Sequence, residues 1–514
     1  MPVATTPGWV RDAVFYQIFP DRFAFSARVV KPGPLEDWNA PPTVHGFKGG
    51  DLIGVVEHLD HLEGLGVTAI YFNPVFASAS NHRYHTYDYL QVDPLLGGDD
   101  ALRELLDAAH QRGMRVILDG VFNHASRGFW PFHHVMESGA DSPYREWFHL
   151  NQAMLAEGRR LRAYPDETLT EALSADWGDL HHQGEQSLEI LGYKAWWDLP
   201  ALPKLNTDNP FVREYLMNVA EHWTRFGIDG WRLDVPAEIT TPGFWEEFRE
   251  RVRAINPEAY IVGEIWEERG DLLDGRTYDG LMNYPLAAAI TSHVTGRHLR
   301  ADVVAQSAEL QREIRPEDAK TFLARVTRVF RTYRPEAASA MLTLLDTHDT
   351  PRFITMAGGD GASLRLGWLV LMTMPGAPCI FYGDEIGLAG EQDPGCRAAF
   401  PWNREAWDAE LLDDLRALVA LRHAEPALRH GGFQPLAAAG MASAYLRNGD
   451  EGTLMVALNA GEEPAILPVE VSVDQLAVVH APVAGAAVVT ADAAGEGALL
   501  ELAPRSGSVW RVRT

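Results

Sequence analysis

Two acidic residues stand at the ends of two successive apolar runs of the sequence. The run IDGWRLDV (228–235) puts Arg232 and Asp234 on one face, because side chains alternate along a strand. The next run, YIVGE (260–264), ends in Glu264. Two carboxyl groups about 5 to 5.5 Å apart can cleave a glycosidic bond by double displacement. Taken singly, the first pair also fits a structural ion pair and the glutamate fits a solvent-exposed strand end.

Two further polar clusters follow apolar runs. His348, Asp349 and Arg352 come after MLTLL, and Asn123 and His124 come after RVILD. Their simpler alternatives are a helix cap before proline and hydrogen bonding within a loop. Together, the four clusters offer the convergent donors and acceptors that a hydroxyl-rich ligand requires. Aromatic rings suited to a sugar face, or simply to packing, lie near them in the sequence: Tyr84, Trp266, Phe129 and Trp130.

The elements that position these clusters alternate between strand-like and helix-like patterns. Asp100 and Gly113 bracket one amphipathic helical segment, and Pro210 and Gly227 bracket another. This alternation predicts parallel β/α units of an α/β protein, with a (β/α)8 TIM barrel as its main body. Barrel enzymes keep their chemistry at the carboxyl ends of the strands. The predicted strands are AVFYQIF, VTAIYF, RVILDGV, IDGWRLDV, YIVGE, MLTLL and CIFYG.

The spacing also predicts two accessory regions. The interval between the third and fourth predicted strands is too long for one helix, so a loop domain is inserted there. After the barrel, ASAYLR and TLMVALN flank a turn containing Asn448 and Gly449, which is typical of a hairpin in an antiparallel β domain. The predicted boundaries are 1–124 and 206–428 for the barrel, 125–205 for the inserted domain B, and 429–514 for a C-terminal β-sandwich domain.

Composition excludes several classes of protein. The 514 residues are 46% hydrophobic and 22% charged, as in globular proteins, and the formal net charge of −27 disfavours nucleic acids and anionic membranes. We find neither a signal-peptide pattern nor an apolar run that spans a bilayer, so we expect a cytoplasmic protein. Cys379 and Cys396 are too few for a disulfide framework, and the adjacent histidine pairs at 133–134 and 181–182 lack zinc-site spacing.

The order of these motifs resembles that of glycoside hydrolase family 13, the α-amylase family. The resemblance extends from about residue 12 to 425 and is highly specific because all the segments occur in the family's order. The segments are GVTAIYFNPVF, DGVFNH, LPKLN, GIDGWRLDV, GEIWE, DTHDTPR and GAPCIFYGDE.

The resemblance implies a role for each clustered residue. Asp234 is expected to be the nucleophile, Glu264 the acid/base, and Asp349 the carboxylate that binds ring hydroxyls and favours the distorted transition state. Arg232 is expected to orient Asp234. Asp119 is expected to be mostly structural. The residues expected to contact the substrate are Tyr84, which would stack under the reacting sugar, together with His124, His348, Arg352, Trp266 and Glu238.

Within that family, LPKLN, Glu238, GEIW and DPGCRAAFPW are similar to the neopullulanase, cyclomaltodextrinase and maltogenic amylase group. That group usually carries an N-terminal β domain used in dimer formation, whereas AVFYQIF begins almost at once here, so a monomer is favoured. AFSARVV after Asp21 lacks the residues of a calcium loop found in several relatives, so no metal or other cofactor is expected. His85 replaces the aspartate of many relatives, which alters the shape of the cleft.

The resemblance predicts hydrolysis of maltodextrins, cyclodextrins and related α-1,4 glucans, extending to α-1,6 bonds, mainly to maltose and glucose and with transglycosylation. An α-glucosidase or a trehalose-forming isomerase is an alternative within the same family, because cleft closure rather than the carboxylates decides between them. An inactive sugar-binding homologue is an alternative of another class. The presence of Asp234, Glu264 and Asp349 together argues against it.

Overall fold

The computed structural model describes residues 6–166, 185–480, 488–491 and 497–513. The histidine pair at 181–182 and the middle of the predicted insertion lie outside these ranges. No helix within them is long and apolar enough to cross a bilayer.

A parallel barrel is the centre of the fold, as predicted. The strands up to residue 381 are β1 (Phe15–Ile18), β2 (Ala69–Phe72), β3 (Phe76–Ser78), β4 (Thr86–Val92), β5 (Arg115–Gly120), β6 (Gly230–Leu233), β7 (Tyr260–Gly263), β8 (Gly280–Leu281), β9 (Leu342–Thr343) and β10 (Ala377–Phe381). Within the described residues, eight of these pair in the order β8-β7-β6-β5-β2-β1-β10-β9. A parallel bridge between Met282 and Leu342 joins the two outer strands and closes the barrel.

Strand β8 is the barrel strand that the sequence analysis missed. It has only two residues, too few for a period to be recognised. Gly280 is required there, since a Cβ atom would lie 2.1 Å from the carbonyl oxygen of Ala340. The remaining seven barrel strands coincide with the predicted runs. Strands β3 and β4, which form an antiparallel hairpin in the loop after β2, were not predicted.

Helices cover the outside of the barrel and its loops. The first helix predicted from Asp100 begins earlier than expected, because Gly97 is its N-cap residue and Asp100 lies in its first turn. The described α-helices are α1 (Pro20–Phe23), α2 (Leu52–Glu57), α3 (Leu59–Leu65), α4 (Gly98–Gln111), α5 (Trp130–Ser138), α6 (Gln152–Ala156), α7 (Glu185–Ile190), α8 (Pro210–Phe226), α9 (Phe244–Ile255), α10 (Tyr284–Val294), α11 (Ala301–Val304), α12 (Ala308–Glu313), α13 (Ala319–Thr332), α14 (Pro335–Ala338), α15 (Phe353–Met356), α16 (Gly361–Thr373), α17 (Ala409–Ala424) and α18 (Pro426–His430).

The barrel interior is a packed apolar core. Phe15, Tyr71, Ile117, Tyr260 and Leu342 are buried in one cluster inside the ring of strands. A second, larger cluster fills the layer between the strands and the helices. With the interior filled, the polar chemistry is confined to the loops at the carboxyl ends of the strands.

The long connection from β5 to β6 returns to the carboxyl end of β5 before it enters α8. Isolated antiparallel bridges pair His124 with Lys204 and Phe148 with Leu205. Before α8, the described parts of this connection contain α5, α6, α7 and short single-turn helices rather than a sheet. Its exit, LPKLN, therefore lies beside the end of β5 and joins the wall of the cleft.

The C-terminal region forms two antiparallel sheets, as predicted. Its strands are β11 (Gly432–Ala439), β12 (Ala442–Gly449), β13 (Gly452–Asn459), β14 (Ala465–Val469), β15 (Leu476–His480), β16 (Val488–Ala491), β17 (Ala498–Leu502) and β18 (Ser506–Val512), in the orders β11-β12-β13-β18-β15 and β14-β17-β16. The β12–β13 hairpin forms, but Asn448 and Gly449 pair with Thr453 and Gly452 inside it. The turn is two residues later than predicted.

Candidate active site

One buried guanidinium gathers the carboxylates of three successive strands. Arg232 on β6 has no exposed surface. Its Nη1 atom lies 2.8 Å from Asp119 Oδ1 and 3.1 Å from Asp234 Oδ1, and its Nη2 atom lies 2.9 Å from Glu264 Oε1. Asp234 and Glu264 are thus held on the two arms of one planar group, which is the juxtaposition of two carboxyls predicted from the strand ends.

The residue that follows Asp234, Val235, has a strained backbone and binds Glu264. Strand β6 ends at Leu233, and Val235 has a φ of 35°, in the left-handed region that β-branched residues rarely adopt. This conformation turns its amide toward Glu264, whose Oε2 accepts that N–H at 3.2 Å. The observed strand is therefore shorter than the predicted one at 228–235. Its last predicted residue, Val235, leaves the extended conformation and donates its N–H to Glu264.

Burial sets the protonation of these carboxyls. Burial raises the pKa of Asp234 well above that of an ordinary aspartate, and Arg232 opposes the rise. Burial also raises the pKa of Glu264, again opposed by Arg232, and that of Asp119 to about 6. Carboxyls that repel one another in a buried site lose their protons in separate steps. Such a pair can present one ionised and one protonated group near neutral pH, as a nucleophile and a general acid require.

Asp349 lies where the sequence predicted it, next to His348 in the loop after β9. Its Oδ2 atom is 3.0 Å from His348 Nε2, and its Oδ1 atom is 3.1 Å from Arg397 Nη2. About a third of the Asp349 side chain is exposed, far more than of Asp234. Arg397 was not predicted, although it lies in the DPGCRAAFPW segment of the family resemblance. The available signal was that this segment contains an arginine, which is a possible partner for the carboxylate of Asp349.

Tyr84 connects the acidic centre to His348. Its hydroxyl donates to Asp119 Oδ2 at 2.8 Å and lies 2.7 Å from His348 Nε2. The two rings are parallel, with centroids 5.4 Å apart. Gln17 Nε2 lies 3.0 Å from both Asn73 Oδ1 and His348 Nδ1. Because this amide donates to Nδ1, the ring proton of His348 belongs on Nε2, where Tyr84 and Asp349 can accept it.

Gln17 and Asn73 are site residues that sequence reasoning missed. Gln17 lies inside β1 and Asn73 directly follows β2, and both are buried. The available signal was an amide within, or at the end of, an otherwise apolar run. Buried amides of this kind must be hydrogen-bonded, so they mark a polar network.

His124 lies at the end of β5, as expected, and is completely buried. Burial lowers its pKa to about 3, so the ring is neutral. Its Nε2 atom has no hydrogen-bond partner among the described residues, and neither does Asp234 Oδ2. Burial likewise lowers the pKa of nearby His85 to about 4. Unpartnered buried polar atoms indicate a polar ligand or water that completes the site.

Trp266 and Glu238 occupy the margins of the site. Trp266 follows Glu264, but its indole lies against the ring of Tyr284 with centroids 3.8 Å apart and planes 7° apart. One of its faces is therefore already covered. Glu238 lies 2.9 Å from the ammonium of Lys204, the lysine of LPKLN. This ion pair joins the β6 loop to the exit of the insertion.

Arg352 was expected to contact the sugar, and the hydrogen bonds that it makes in the structure are to the loops after β10. It has no exposed surface, and its Nη1 donates to the carbonyl of Tyr382 at 2.6 Å and to Asp384 at 2.9 Å. Its Nε donates to the carbonyl of Cys396 at 2.9 Å. The side chain points back toward the β10 loop because that loop supplies carbonyl acceptors. Arg397 takes the position facing Asp349.

The loop after Asp21 is held together by a lysine. Lys48 is buried, and its ammonium donates to the carbonyls of Asp37 at 2.5 Å and Ala40 at 2.7 Å, with Glu36 at 3.4 Å. Across the described ranges, no group of three or more His, Cys, Asp or Glu side chains is arranged to hold a metal ion. A fixed ammonium among these oxygens does not fit a bound calcium ion there.

Comparison with known proteins agrees with this geometry. The family model for the α-amylase catalytic domain matches residues 17–430. A cyclomaltodextrinase from Bacillus sp is 41% identical over 457 residues, covering 88% of this chain and 73% of that protein.

Two solved structures match over almost the whole chain. The debranching enzyme of Nostoc punctiforme in its native form is 44% identical, with a TM-score of 0.85 and full coverage of both chains. The cyclic α-maltosyl-(1→6)-maltose hydrolase of Arthrobacter globiformis is 33% identical, with a TM-score of 0.81, covering 99% of this chain and 100% of that one. From its motifs, its barrel and these matches, the chain belongs to the α-amylase family, glycoside hydrolase family 13.

Proposed function

We propose that this protein is a retaining α-glucoside hydrolase of maltodextrins and cyclodextrins. The observation that carries the proposal is the placement of Asp234 and Glu264 on the two arms of Arg232, with Asp349 beside them in the loop after β9. Two carboxyls held by one guanidinium suit double displacement, whereas inversion requires room for a water molecule between them.

In the first step, Asp234 attacks the anomeric carbon. Its Oδ2 atom has no partner among the described residues, so it is the oxygen available for the new bond. Glu264 gives its proton to the glycosidic oxygen as the bond to the leaving sugar breaks. The product of this step is a glucosyl ester of Asp234 with the β configuration.

In the second step, Glu264 acts as the base. It takes a proton from a water molecule, which attacks the same carbon and releases Asp234, and the sugar leaves as the α anomer. If the hydroxyl of another sugar replaces the water, the step becomes transglycosylation. Asp349, about a third of whose side chain is exposed, and the unpartnered Nε2 atom of His124 supply polar partners for the ring hydroxyls.

Short or cyclic α-1,4 glucans are the preferred substrates in this proposal, with maltose and glucose as the main products. The name of the 41% identical relative supports the cyclic substrate. The names of the two structural relatives, a debranching enzyme and a hydrolase of a (1→6)-linked ring, favour α-1,6 cleavage as a second activity. The cytosolic location and the monomeric state stay predictions.

A comparison of four substrates tests this proposal. We would measure kcat/KM per glucosyl unit for a cyclodextrin, maltotriose, pullulan and soluble starch. We expect the cyclodextrin and maltotriose to exceed starch, and pullulan to be cleaved. Preference for starch with an untouched cyclodextrin would indicate a conventional endo-acting α-amylase, and trehalose formed from maltose would indicate the isomerase alternative.

A further inference from the structure

A stack of three rings leads from the cleft to the surface of the protein. Trp196 lies parallel to His124, with centroids 4.8 Å apart and planes 10° apart. Trp197 in turn is stacked with Trp196, with centroids 4.7 Å apart and planes 14° apart. His124 is completely buried, whereas Trp197 is 51% exposed. The outermost ring is thus in contact with a site residue through a single intervening ring.

The backbone at Trp197 is strained and held in place. Trp197 has a φ of 52° and Asp198 a φ of 55°, so two successive non-glycine residues occupy the left-handed region. Asp198 is buried, and its Oδ1 atom accepts the Ser187 N–H at 2.8 Å. A strained conformation persists only where its surroundings enforce it, and such strain clusters at ligand-binding positions. The orientation of the exposed ring is therefore fixed by the fold.

The exposed half of the Trp197 side chain is accessible to a ligand in the cleft region that His124 marks. The sugar units of a glucan have C–H-lined faces that pack well on aromatic rings, and such contacts add specificity beyond area burial. We propose that the outer face of Trp197 is a stacking platform for a glucosyl unit of the substrate chain that lies beyond the unit contacting His124. The proposal rests on the glucan substrate proposed above and adds a chain-length selector to it.

Trp130 provides a matched comparison. It is 62% exposed and belongs to the same β5–β6 connection, but its ring meets only the edge of His134, with centroids 6.0 Å apart. Among the described residues, no ring stack joins it to the cleft. An exposed tryptophan by itself should not select for chain length, whereas one in contact with the site should.

The test compares kcat and KM for maltotriose and maltoheptaose in Trp197→Ala, Trp197→Phe and Trp130→Ala. In Trp197→Ala we expect kcat/KM for maltoheptaose to fall about three- to tenfold, mainly through KM, with a change of less than about twofold for maltotriose. Trp197→Phe should restore most of the loss, because it keeps an aromatic face. Trp130→Ala should leave the ratio of the two substrates unchanged.

Two results would overturn the platform. One is an unchanged ratio of the two substrates in Trp197→Ala, whether both values are unaltered or both fall equally, and the other is an equal shift of the ratio in Trp130→Ala. Failure of the proposed function is recognised separately, because the comparison of cyclodextrin, maltotriose, pullulan and starch is made on the wild-type protein and does not depend on Trp197. Melting temperatures of the variants, expected to stay near that of the wild type, check that the fold is intact.

Discussion

Two buried arginines at the same end of the barrel have different partners. Arg232 directs both of its arms to carboxylates, and one of them, Asp234, keeps an oxygen unpartnered among the described residues. Arg352 binds backbone carbonyls and Asp384, and its guanidinium lies 4.0 Å from the ring centroid of Phe381. In the first cluster an unpartnered atom is a carboxylate oxygen, whereas in the second it is a donor, Nη2 of Arg352, among the described residues.

The difference shows that the type of a residue and its position at a strand end do not determine whether it takes part in the chemistry. A buried ion pair is weak evidence of function when its groups are occupied by the protein itself. What separates the two clusters is the identity of the partners and the presence of a free, reactive oxygen. The Arg232 cluster should therefore govern chemistry, and the Arg352 cluster should govern stability.

Loss of either reactive carboxyl should have the largest effect. Asp234→Asn removes the nucleophile and Glu264→Gln removes the proton donor, so each variant should lose at least about a thousandfold in kcat. Both amides are similar in size to the groups they replace, and the melting temperature should change little. Initial rates on maltotriose with a thermal melt check this, and substantial activity in either variant would contradict the assignment of that carboxyl.

Arg352→Met should act on stability instead. It removes the cation beside Asp384 and the donor to the carbonyls of Tyr382 and Cys396, so the free energy of unfolding should fall by about 3–5 kcal/mol. The protein that stays folded should keep kcat within a few-fold of the wild type. Urea unfolding measures the first quantity. The exposed Arg225→Met, at an i,i+4 helix pair, serves as the control. A stable Arg352→Met protein with a large loss of kcat would place this arginine in the chemistry after all.

Asp119→Asn should shift the pH profile. Asp234 must be ionised to attack, burial raises its pKa, and the charge of Asp119 adds to the rise. Activity is therefore lost as the pH falls through this raised pKa. Removing the Asp119 charge lowers the pKa of Asp234, so the acid limb of kcat/KM should move to lower pH while the maximal rate falls. Asp279→Asn, at a buried ion pair with Arg249, should leave the limb in place. Movement of the limb to higher pH would contradict the electrostatic account.

Chelation should have the smallest effect. In all three buried clusters a protein cation neutralises the oxygens, namely Arg232, Arg352 and Lys48. EDTA should therefore leave the activity and the melting temperature nearly unchanged. Lys48→Met should lower the melting temperature more than EDTA does, since it removes the ammonium that holds the 36–48 loop. A loss in EDTA that calcium restores would show that this loop binds a metal ion.

The sequence predicted the parts of the fold that depend on local patterns. Apolar runs located seven barrel strands, and Pro210 and Gly227 located the ends of α8. It also predicted that Asp234, Glu264, Asp349 and His348 come together, because all lie at carboxyl ends of parallel strands.

What the sequence could not predict depends on distant partners. Strand β8 has two residues and is defined by its neighbours. The direction of Arg352 is set by carbonyls of the β10 loop, and carbonyls have no sequence signature. Arg397 and the ring stack at Trp196 reach the site through irregular segments without a period. The Asn448–Gly449 pair was read as a turn, but strand pairing extends beyond it.

The anomeric form of the first product tests the central claim most directly. Cleavage of a cyclodextrin or maltotriose would be followed by proton NMR before mutarotation mixes the anomers. Because Asp234 and Glu264 share one guanidinium and act by double displacement, the newly formed reducing end should appear as the α anomer. If the β anomer appears first, the reaction inverts, and the assignment of Asp234 as nucleophile is wrong.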